Sequence, residues 1–390
     1  MLSSTHPDFI PFNRPHLAGP ELMYIQQAVA AGKLSGNGQF TQRCQRFFEQ
    51  QYGIGKALLT TSGTAALEMA ALLLNLQPGD EVIVPSYTFT STANAFVLRG
   101  ARIVFADSCA DHPNLDPAEV ARLITPRTRA IVPVHYAGAA CDMDALLALA
   151  RQHGLWVVED AAQAIEGYYR GKRLGTLGHL AAFSFHETKN ISAGEGGLLA
   201  VNDPQLAARA EIIWEKGTNR AAFFRGEAAR YEWVDIGSSF LPSELNAAYL
   251  WAQLEALADI QRRREHLWRR YAEAFEPLRD AGYFELLPVP AGATSNWHLF
   301  AVVCRSQTER DALLAYLTSQ HILAVFHYLP LHASPFYHAR HDGRPLPHAE
   351  RFGRCLVRLP LFYDLTPEQQ DRVVAAVLAF YAGREASSSS

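Results

Sequence analysis

The first 160 residues alternate short apolar runs, rich in β-branched residues, with longer segments that repeat apolar positions at helical spacing. "KALLTT" (56–61) is typical of a strand, and "TAALEMAALLLN" (64–75) of the helix after it. The runs recur at roughly 20–27 residues, the length of a strand–helix unit, which predicts parallel strands joined by helices on both faces of a sheet. The predicted strands are 56–61, 80–85, 101–107, 129–136 and 155–160.

This pattern changes after residue 160. "HLAAFSFH" (179–186) and "GGLLAVND" (196–203) are separated by a loop, so they are expected to be neighbouring strands. A long helix is predicted from about Pro242 to Ala281, and a smaller α+β domain after it. The predicted division is an N-terminal arm (1–20), a large α/β domain (21–245), a linking helix with a small C-terminal α+β domain (246–382) and a disordered tail (383–390).

Composition narrows the class of protein. The 390 residues are 49% hydrophobic and 19% charged, and the net charge of −4 comes without long blocks of one sign, so neither nucleic acid nor an anionic membrane is an expected partner. Five widely spaced cysteines without a CxxC pair indicate no disulfide framework and no metal site. No apolar run approaches the roughly 20 residues of a membrane span, and no signal peptide is recognised. We expect a cytoplasmic enzyme.

Lysine is scarce, which draws attention to Lys189 in "SFHETKNISAGEGG". Five of the 35 basic residues are lysine and the other 30 are arginine. A lysine in the loop between two buried strands can lose its proton and form a Schiff base with a carbonyl, whereas arginine stays charged. A salt bridge or surface contact is the alternative interpretation.

Asp160 ends the strand in "VVEDAAQA", at the carboxyl edge where parallel sheets bind ligands. A carboxylate there can hold a proton on a pyridine nitrogen and make the ring an electron sink. A helix N-cap is the alternative. Glu159 is expected to point to the opposite face of the strand.

"TTSGTAAL" (60–67) follows a strand and opens a helix, so Ser62, Gly63 and Thr64 could bind a phosphate with hydroxyl and backbone N–H groups. A simple helix cap would use the same residues. Ser184 could add a hydroxyl, and an aromatic residue of "YTFTST", Tyr87 or Phe89, could stack on a planar ring or belong to the core.

Together these features follow the order expected of an aminotransferase that binds pyridoxal phosphate. Six stretches resemble the sugar aminotransferases of the DegT/DnrJ/EryC1/StrS family: "SGTAAL", "PSYTFTSTANA", "VVEDAAQA", "FSFHETKN", "GEGG" and "LPLH". The resemblance extends from about Ile10 to Tyr381. It implies the fold type I of pyridoxal-phosphate-dependent transferases, like aspartate aminotransferase, and a homodimer with shared active sites.

The resemblance also implies roles for individual residues. Lys189 would be the Schiff-base lysine, Asp160 the partner of the pyridinium nitrogen and Gln163 the neighbour of the phenolic oxygen. Many members carry an Asn that reaches the partner subunit's cofactor, and here Ser239 of "SSFLPS" stands in its place. The other implied cofactor contacts are Ser62, Gly63, Thr64, Phe89 and Ser184.

On the substrate side, the resemblance places His327 of "FHYLPLH" near the sugar, with Tyr87 as a further candidate. Lys216, Asn219 and Arg220 of "EKGTNR", and Arg225 of "FFRG", could meet a diphosphate, or could be ordinary solvated charges.

The implied reaction transfers the amino group of L-glutamate to a nucleotide-linked 4-keto-6-deoxyhexose. The expected substrate is dTDP-4-keto-6-deoxy-D-glucose, giving dTDP-4-amino-4,6-dideoxygalactose for a surface polysaccharide of the enterobacterial common antigen type. Another nucleotide keto-sugar, or a nonenzymatic ligand-sensing protein of the same fold, are alternatives. Related dehydratases carry His where this chain has Lys189.

Overall fold

The computed structural model describes residues 8–388, with side chains described for 8–383. The described residues up to Val201 contain nine strands. Seven of them form one large sheet, and the other two are short. They are β1 (Lys56–Thr60), β2 (Glu81–Pro85), β3 (Arg102–Ala106), β4 (Thr128–Ile131), β5 (Trp156–Asp160), β6 (Tyr168–Tyr169), β7 (Lys172–Arg173), β8 (Leu180–Ser184) and β9 (Gly197–Val201).

The large sheet has the order β1-β9-β8-β5-β4-β2-β3. Strand β9 runs antiparallel to both of its neighbours, and the other six strands share one direction. This confirms the mostly parallel sheet. The carboxyl ends of β1, β2, β5 and β8 therefore open on one edge.

Both faces of the sheet are buried, which is why its strands are mostly apolar. In β2, Val82 and Val84 pack into one core cluster, while Ile83 faces the other cluster across the sheet. Helices cover both sides. They are α1 (Glu21–Ala30), α2 (Gln39–Phe47), α3 (Gly63–Leu73), α4 (Thr90–Val97), α5 (Pro117–Leu123), α6 (Met143–His153), α7 (Pro204–Trp214), α8 (Arg220–Phe224), α9 (Glu244–Glu255) and α10 (Leu257–Asp280).

The helix predicted from about Pro242 to Ala281 is two helices, so that prediction is wrong. Ala256, with φ −92° and ψ 1°, leaves helical geometry between them. Helix α9 packs against α1 and α2, whereas α10 packs against the last helix of the chain. The break lets each segment bury its apolar side in a different core.

The C-terminal part holds a four-stranded antiparallel sheet. The predicted strand "ILAVFHY" is reduced to two residues, and the helix and strand at 347–359 were not predicted. The elements are β10 (Phe284–Leu286), β11 (Ala293–Thr294), β12 (Phe300–Cys304), α11 (Gln307–Ser319), β13 (Val325–Phe326), α12 (Pro347–Cys355), β14 (Leu356–Leu359) and α13 (Pro367–Ser388). Strand β11 pairs with β6.

The described part of the N-terminal arm crosses the molecule. Ile10 exchanges backbone hydrogen bonds with His321 and Leu323 (2.9 and 3.0 Å), and the Asn13 side chain donates to the carbonyl of Glu187 (3.0 Å). The arm thus ties the C-terminal sheet to the Lys189 loop. Residues 1–7 of the predicted arm lie outside the described residues.

Helix α13 continues to Ser388, beyond the start of the predicted disordered tail at residue 383, and residues 389–390 lie outside the described part. The division at 245/246 stays a prediction. Among the described residues, no helix combines the length and apolar character needed to cross a membrane.

Candidate active site

A cavity of about 880 Å³ lies at the carboxyl edge of the large sheet, between that sheet and the C-terminal domain. It brings together nine residues that the sequence singled out, although they come from five separate segments. They are Ser62, Gly63, Thr64, Phe89, Asp160, Gln163, Ser184, Lys189 and His327.

Lys189 lies in the loop between β8 and β9, as predicted, and this loop is held on both sides. The side chain of the next residue, Asn190, donates to Gln261 Oε1 (2.8 Å) and to the Asn296 carbonyl (2.9 Å), and its oxygen lies 2.7 Å from His298 Nδ1. Burial lowers the pKa of Lys189 to about 8; Asp160 partly opposes this and Arg358 adds to it. The amine can therefore lose its proton near neutral pH.

Asp160 and Glu159 face opposite sides of β5. Asp160 Oδ2 accepts from the Thr92 hydroxyl (2.7 Å), and Oδ1 accepts from the Ala162 N–H (3.1 Å). Glu159 is buried on the far side, where its carboxylate lies 2.8 Å from His135 Nε2. It also accepts from the backbone N–H groups of Gly175, Leu177 and Gly178 at 2.8, 2.7 and 2.6 Å. Asp160 therefore faces the cavity, whereas Glu159 fixes the 175–178 turn by hydrogen bonds.

The turn before α3 contains a helix cap, and neighbouring backbone segments lie very close to this turn. Ser62 Oγ accepts from the Ala65 N–H (3.0 Å), so the cap interpretation of Ser62 is correct in this structure. A Cβ on Gly63 would lie 2.9 Å from Ser184 Cβ, and one on Gly197 would lie 2.3 Å from the Ser62 carbonyl carbon. The first N–H groups of α3 thus face a narrow pocket, which we call the α3 cradle. Only small residues leave room for this pocket.

Gln163 is fixed from two directions. Its side-chain oxygen accepts from the Ala137 N–H (2.8 Å), and its nitrogen donates to the Tyr328 hydroxyl (3.2 Å). The Tyr328 ring lies 6.1 Å from that of Phe89, which forms an exposed wall of the cavity. These contacts join the large sheet to the segment after β13.

His327 lines the cavity beside Tyr136 and Arg358. Its Nδ1 lies 3.1 Å from the Tyr136 hydroxyl, and its Nε2 lies 3.1 Å from Arg358 Nη1. Burial, then the charges of Arg358 and Lys189, hold the pKa of His327 far below its usual range. The imidazole is therefore neutral and can accept or donate one hydrogen bond.

Six predicted residues lie elsewhere. Tyr87 is buried behind the cavity wall, with its ring 5.4 Å from Tyr136 and 5.8 Å from Tyr328. Asn219 uses its amide within its own loop, donating to the Arg230 carbonyl (3.0 Å) and accepting from the Glu232 N–H (2.8 Å). A second cavity, of about 790 Å³, is lined by Lys216, Arg220 and Ser239, and also by Arg225.

Sequence reasoning missed four residues that line the first cavity, namely Phe12, His298, Tyr328 and Arg358, and it also missed Thr92, which hydrogen-bonds Asp160. Arg358 had a usable signal, because it is a lone charge inside the apolar run "LVRLPLF". Tyr328 stands next to His327 in a motif that was already singled out. Thr92 likewise ends the stretch "YTFTST", which was also singled out, whereas Phe12 carries no such signal because its contact depends on the folded chain.

The residues present fit pyridoxal phosphate. A buried lysine with a lowered pKa can bond an aldehyde, a carboxylate can pair with a ring nitrogen, and the α3 cradle offers hydroxyl and N–H donors to a phosphate. Fold and site together define a pyridoxal-phosphate-dependent aminotransferase.

Comparison with known proteins leads to the same class. Residues 16–378 match the DegT/DnrJ/EryC1/StrS aminotransferase family, and the chain belongs to that family. It is 33% identical over 387 residues to the spore coat polysaccharide biosynthesis protein SpsC of Bacillus subtilis (strain 168), covering 97% of this chain and 98% of SpsC.

Two solved structures are similar over nearly the whole chain. DesV of S. venezuelae, in complex with a ketimine intermediate, is 34% identical with a TM-score of 0.85, covering 95% of this chain and 97% of DesV. The PLP form of the putative sugar aminotransferase Spr1654 of Streptococcus pneumoniae is 25% identical with a TM-score of 0.87, covering 95% and 98%. This protein is thus a pyridoxal-phosphate-dependent sugar aminotransferase, and not a nonenzymatic sensor.

Proposed function

We propose that this enzyme transfers the amino group of L-glutamate to dTDP-4-keto-6-deoxy-D-glucose, giving dTDP-4-amino-4,6-dideoxygalactose for a surface polysaccharide. The choice of sugar is supported by further stretches that resemble one branch of the family: "GKLSGNGQFTQRCQ", "EKGTNR", "DIGSSFLPSELNAAYLWAQLEA" and "AVFHYLPLH". The name of SpsC, a polysaccharide biosynthesis protein, agrees with such a pathway. Another nucleotide keto-sugar is the alternative.

One observation carries the transamination chemistry: a half-buried lysine, with its pKa lowered to about 8 by desolvation, shares a cavity with Asp160. The cofactor, when bound, supplies the electron sink for the carbanion formed at the substrate carbon. Lys189 would hold the cofactor, and its amine, when free, would take a proton from the substrate carbon and return a proton to complete the transfer. General acid–base steps of this kind typically contribute about 10²–10⁴-fold to the rate.

The other residues hold the reactants in place. Asp160, oriented by Thr92 and Ala162, keeps its carboxylate toward the ring nitrogen. Gln163 is aligned by Ala137 and Tyr328 for the phenolic oxygen, and Phe89 offers a ring to stack on. The neutral His327 is placed to hydrogen-bond the sugar.

We further propose a homodimer in the cytoplasm, in which each chain contributes to the partner's site. The second cavity supports this, since it gathers Ser239 with the cations Lys216, Arg220 and Arg225. In this proposal, those cations face the diphosphate of a nucleotide sugar bound mainly by the other chain. Asn219 would act by holding its loop, and Tyr87 by supporting the cavity wall.

A panel of dTDP- and UDP-4-keto sugars, each incubated with glutamate, tests the reaction directly. NMR of the product reports the nucleotide, the carbon that is aminated and its axial or equatorial outcome. Amination of a UDP sugar alone would contradict the substrate assignment. Lys189→Arg should abolish both half-reactions, and Lys172→Arg, which changes an exposed lysine, is its matched control. Light scattering of the purified protein tests the dimer.

A further inference from the structure

A histidine and a glutamate face each other at the rim of the active-site cavity, in the loop between β8 and β9. His186 and Glu195 both line this cavity. The antiparallel pairing of β8 and β9 continues past the ends of the strands, so that residue 186 lies opposite residue 195. Two backbone hydrogen bonds flank this position, from the Phe185 N–H to the Gly196 carbonyl (2.8 Å) and from the Glu187 N–H to the Gly194 carbonyl (3.0 Å). The backbone therefore fixes what we call the His186–Glu195 pair.

The hydrogen bonds of His186 determine which ring nitrogen carries the proton. Its Nδ1 accepts from the Thr188 N–H (3.3 Å) and lies 2.9 Å from the Thr188 hydroxyl. The proton of the neutral ring is therefore on Nε2, which lies 3.8 Å from Glu195 Oε1. This distance is too long for a direct hydrogen bond. The gap between the two side chains thus has a donor on one side and an acceptor on the other.

The charges of the cavity indicate which ligand group fits this gap. Among the described residues that line the cavity, only Asp160 and Glu195 carry carboxylates, and Asp160 is expected to pair with the cofactor. The Glu195 carboxylate would repel the anionic parts of both substrates, namely the diphosphate of the nucleotide sugar and the carboxylates of glutamate. A hydroxyl group is neutral and can donate one hydrogen bond while it accepts another, so it can bridge the pair.

We propose that the His186–Glu195 pair binds the sugar hydroxyl next to the keto group and thereby selects acceptor sugars that carry it. In a 4-keto-6-deoxyhexose linked through C1, the free hydroxyls are those on C2 and C3. The keto carbon must lie against the amine of Lys189, which follows His186 in the same loop, so the hydroxyl on the adjacent C3 is the one assigned to the pair. This inference rests on the proposed function and names a sugar group that the site recognises.

The test compares sugars that each lack one hydroxyl. Glu195→Leu should lower kcat/KM of the sugar half-reaction for dTDP-4-keto-6-deoxy-D-glucose by roughly 10–100-fold, because a charge-assisted hydrogen bond is lost. With the 3-deoxy analogue the same substitution should change kcat/KM by less than about 3-fold, since that bond is already absent. The 2-deoxy analogue should behave like the parent sugar. An equal loss with all three sugars would overturn the proposal, and so would a loss that disappears only with the 2-deoxy sugar.

Two further variants separate recognition of the sugar from general effects. His186→Leu should show the same dependence on the 3-hydroxyl, with a loss of roughly 10-fold on the parent sugar. Glu187→Leu is the matched control, because it removes the same charge from the same loop but does not line the cavity, and its ratio of parent to 3-deoxy sugar should equal that of the wild type. If Glu195→Leu lost as much in the glutamate half-reaction as in the sugar half-reaction, the pair would act on the loop and not on the sugar.

A binding measurement separates this inference from the proposed reaction. Without an amino donor the keto sugar binds but is not aminated, so calorimetric titration of the cofactor-loaded enzyme gives its Kd. This Kd should rise roughly 10-fold or more in Glu195→Leu, and an unchanged Kd would contradict the role. If the wild type bound the sugar in this way but did not aminate it with glutamate, the proposed function would fail and this inference would stand. If the enzyme aminated a UDP sugar instead, the same titrations with that sugar and its 3-deoxy analogue would decide.

Discussion

The side chain of Gln163 donates a hydrogen bond to the Tyr328 hydroxyl across 3.2 Å, and so links the large sheet to the C-terminal sheet over the active site. Gln163 follows β5 of the large sheet, and Tyr328 follows β13 of the small one. Burial raises the pKa of Tyr328 well above its usual value, so the phenol stays protonated. It can accept from Gln163 and still donate its own proton into the cavity.

Tyr328→Phe tests this link. The substitution leaves the Gln163 amide without its acceptor in a buried place, at a cost of about 1–3 kcal/mol. We expect kcat/KM to fall by roughly 10-fold or more in both half-reactions, since Gln163 loses its fixed orientation. Steady-state kinetics with each substrate varied in turn measure the effect.

Tyr363→Phe is the control for this change. That tyrosine also donates to a polar side chain, Asp259 (2.6 Å), but it does so outside the cavity. An equal loss of kcat/KM in both variants would mean that Tyr328 acts only through general stability.

The adjacent carboxylates of β5 predict opposite consequences. Asp160→Asn should retain the fold and lower kcat at least roughly 100-fold, because an amide is a poor partner for a protonated ring nitrogen. Glu159→Gln should lower the free energy of unfolding by about 2–4 kcal/mol, since its new NH₂ group would face either the Gly175 N–H or the N–H groups of Leu177 and Gly178.

Kinetics and denaturant unfolding of both variants check this pair. The assignment of the two faces is wrong if Glu159→Gln is stable but inactive, or if Asp160→Asn is active but unstable.

Gly197 is expected to set the width of the cradle before α3. In Gly197→Ala the new methyl would lie 2.3 Å from the Ser62 carbonyl carbon, so the backbone of the turn must move. We expect the Kd for pyridoxal phosphate to rise by roughly 10-fold or more, because the donors at the helix N-terminus lose their alignment. Titration of the apoenzyme followed by fluorescence measures this affinity.

Gly383→Ala is the control, because a Cβ there would meet nothing within 4 Å. Unchanged cofactor affinity in Gly197→Ala would show that the cradle tolerates widening.

The parallel sheet, and the part of the site that is expected to bind the cofactor, could be predicted because short stretches of sequence are enough to identify them. Each strand of the large sheet is mostly apolar, Asp160 ends β5, and Ser62 and Lys189 lie in the segments that follow β1 and β8. Parallel strands bring such positions to one edge without further detail of packing.

The C-terminal side of the site was not predictable in the same way. Arg358 and Phe12 reach the cavity only because β14 and the N-terminal arm fold back over the large sheet. The charge of Arg358 also disrupts the apolar run from which β14 would be predicted. Similarly, the break at Ala256 reflects two cores that pull α9 and α10 apart, which the continuous helical pattern from 242 to 281 does not show.

The lowered pKa of Lys189 predicts how the stability of the cofactor-free protein depends on pH. The folded chain releases this proton near pH 8, whereas an unfolded chain keeps it to about pH 10.5. Between these values the unfolded state binds more protons, so this residue makes stability rise with pH. Desolvation of this half-buried amine therefore destabilises the folded state by at most about 3 kcal/mol below pH 8, and the penalty disappears as the pH rises to 10.5.

In Lys189→Met the ionisable amine is absent, so its contribution to the pH dependence of stability disappears. The difference in unfolding free energy, wild type minus Lys189→Met, should therefore increase between pH 8 and 10.5, and other titrating groups cancel in the comparison. Denaturant unfolding of both apoenzymes at a series of pH values measures it, with Lys172→Met as the exposed control. A difference that does not vary with pH would mean that the amine is not desolvated in the folded protein, and would remove the physical basis for its reactivity at neutral pH.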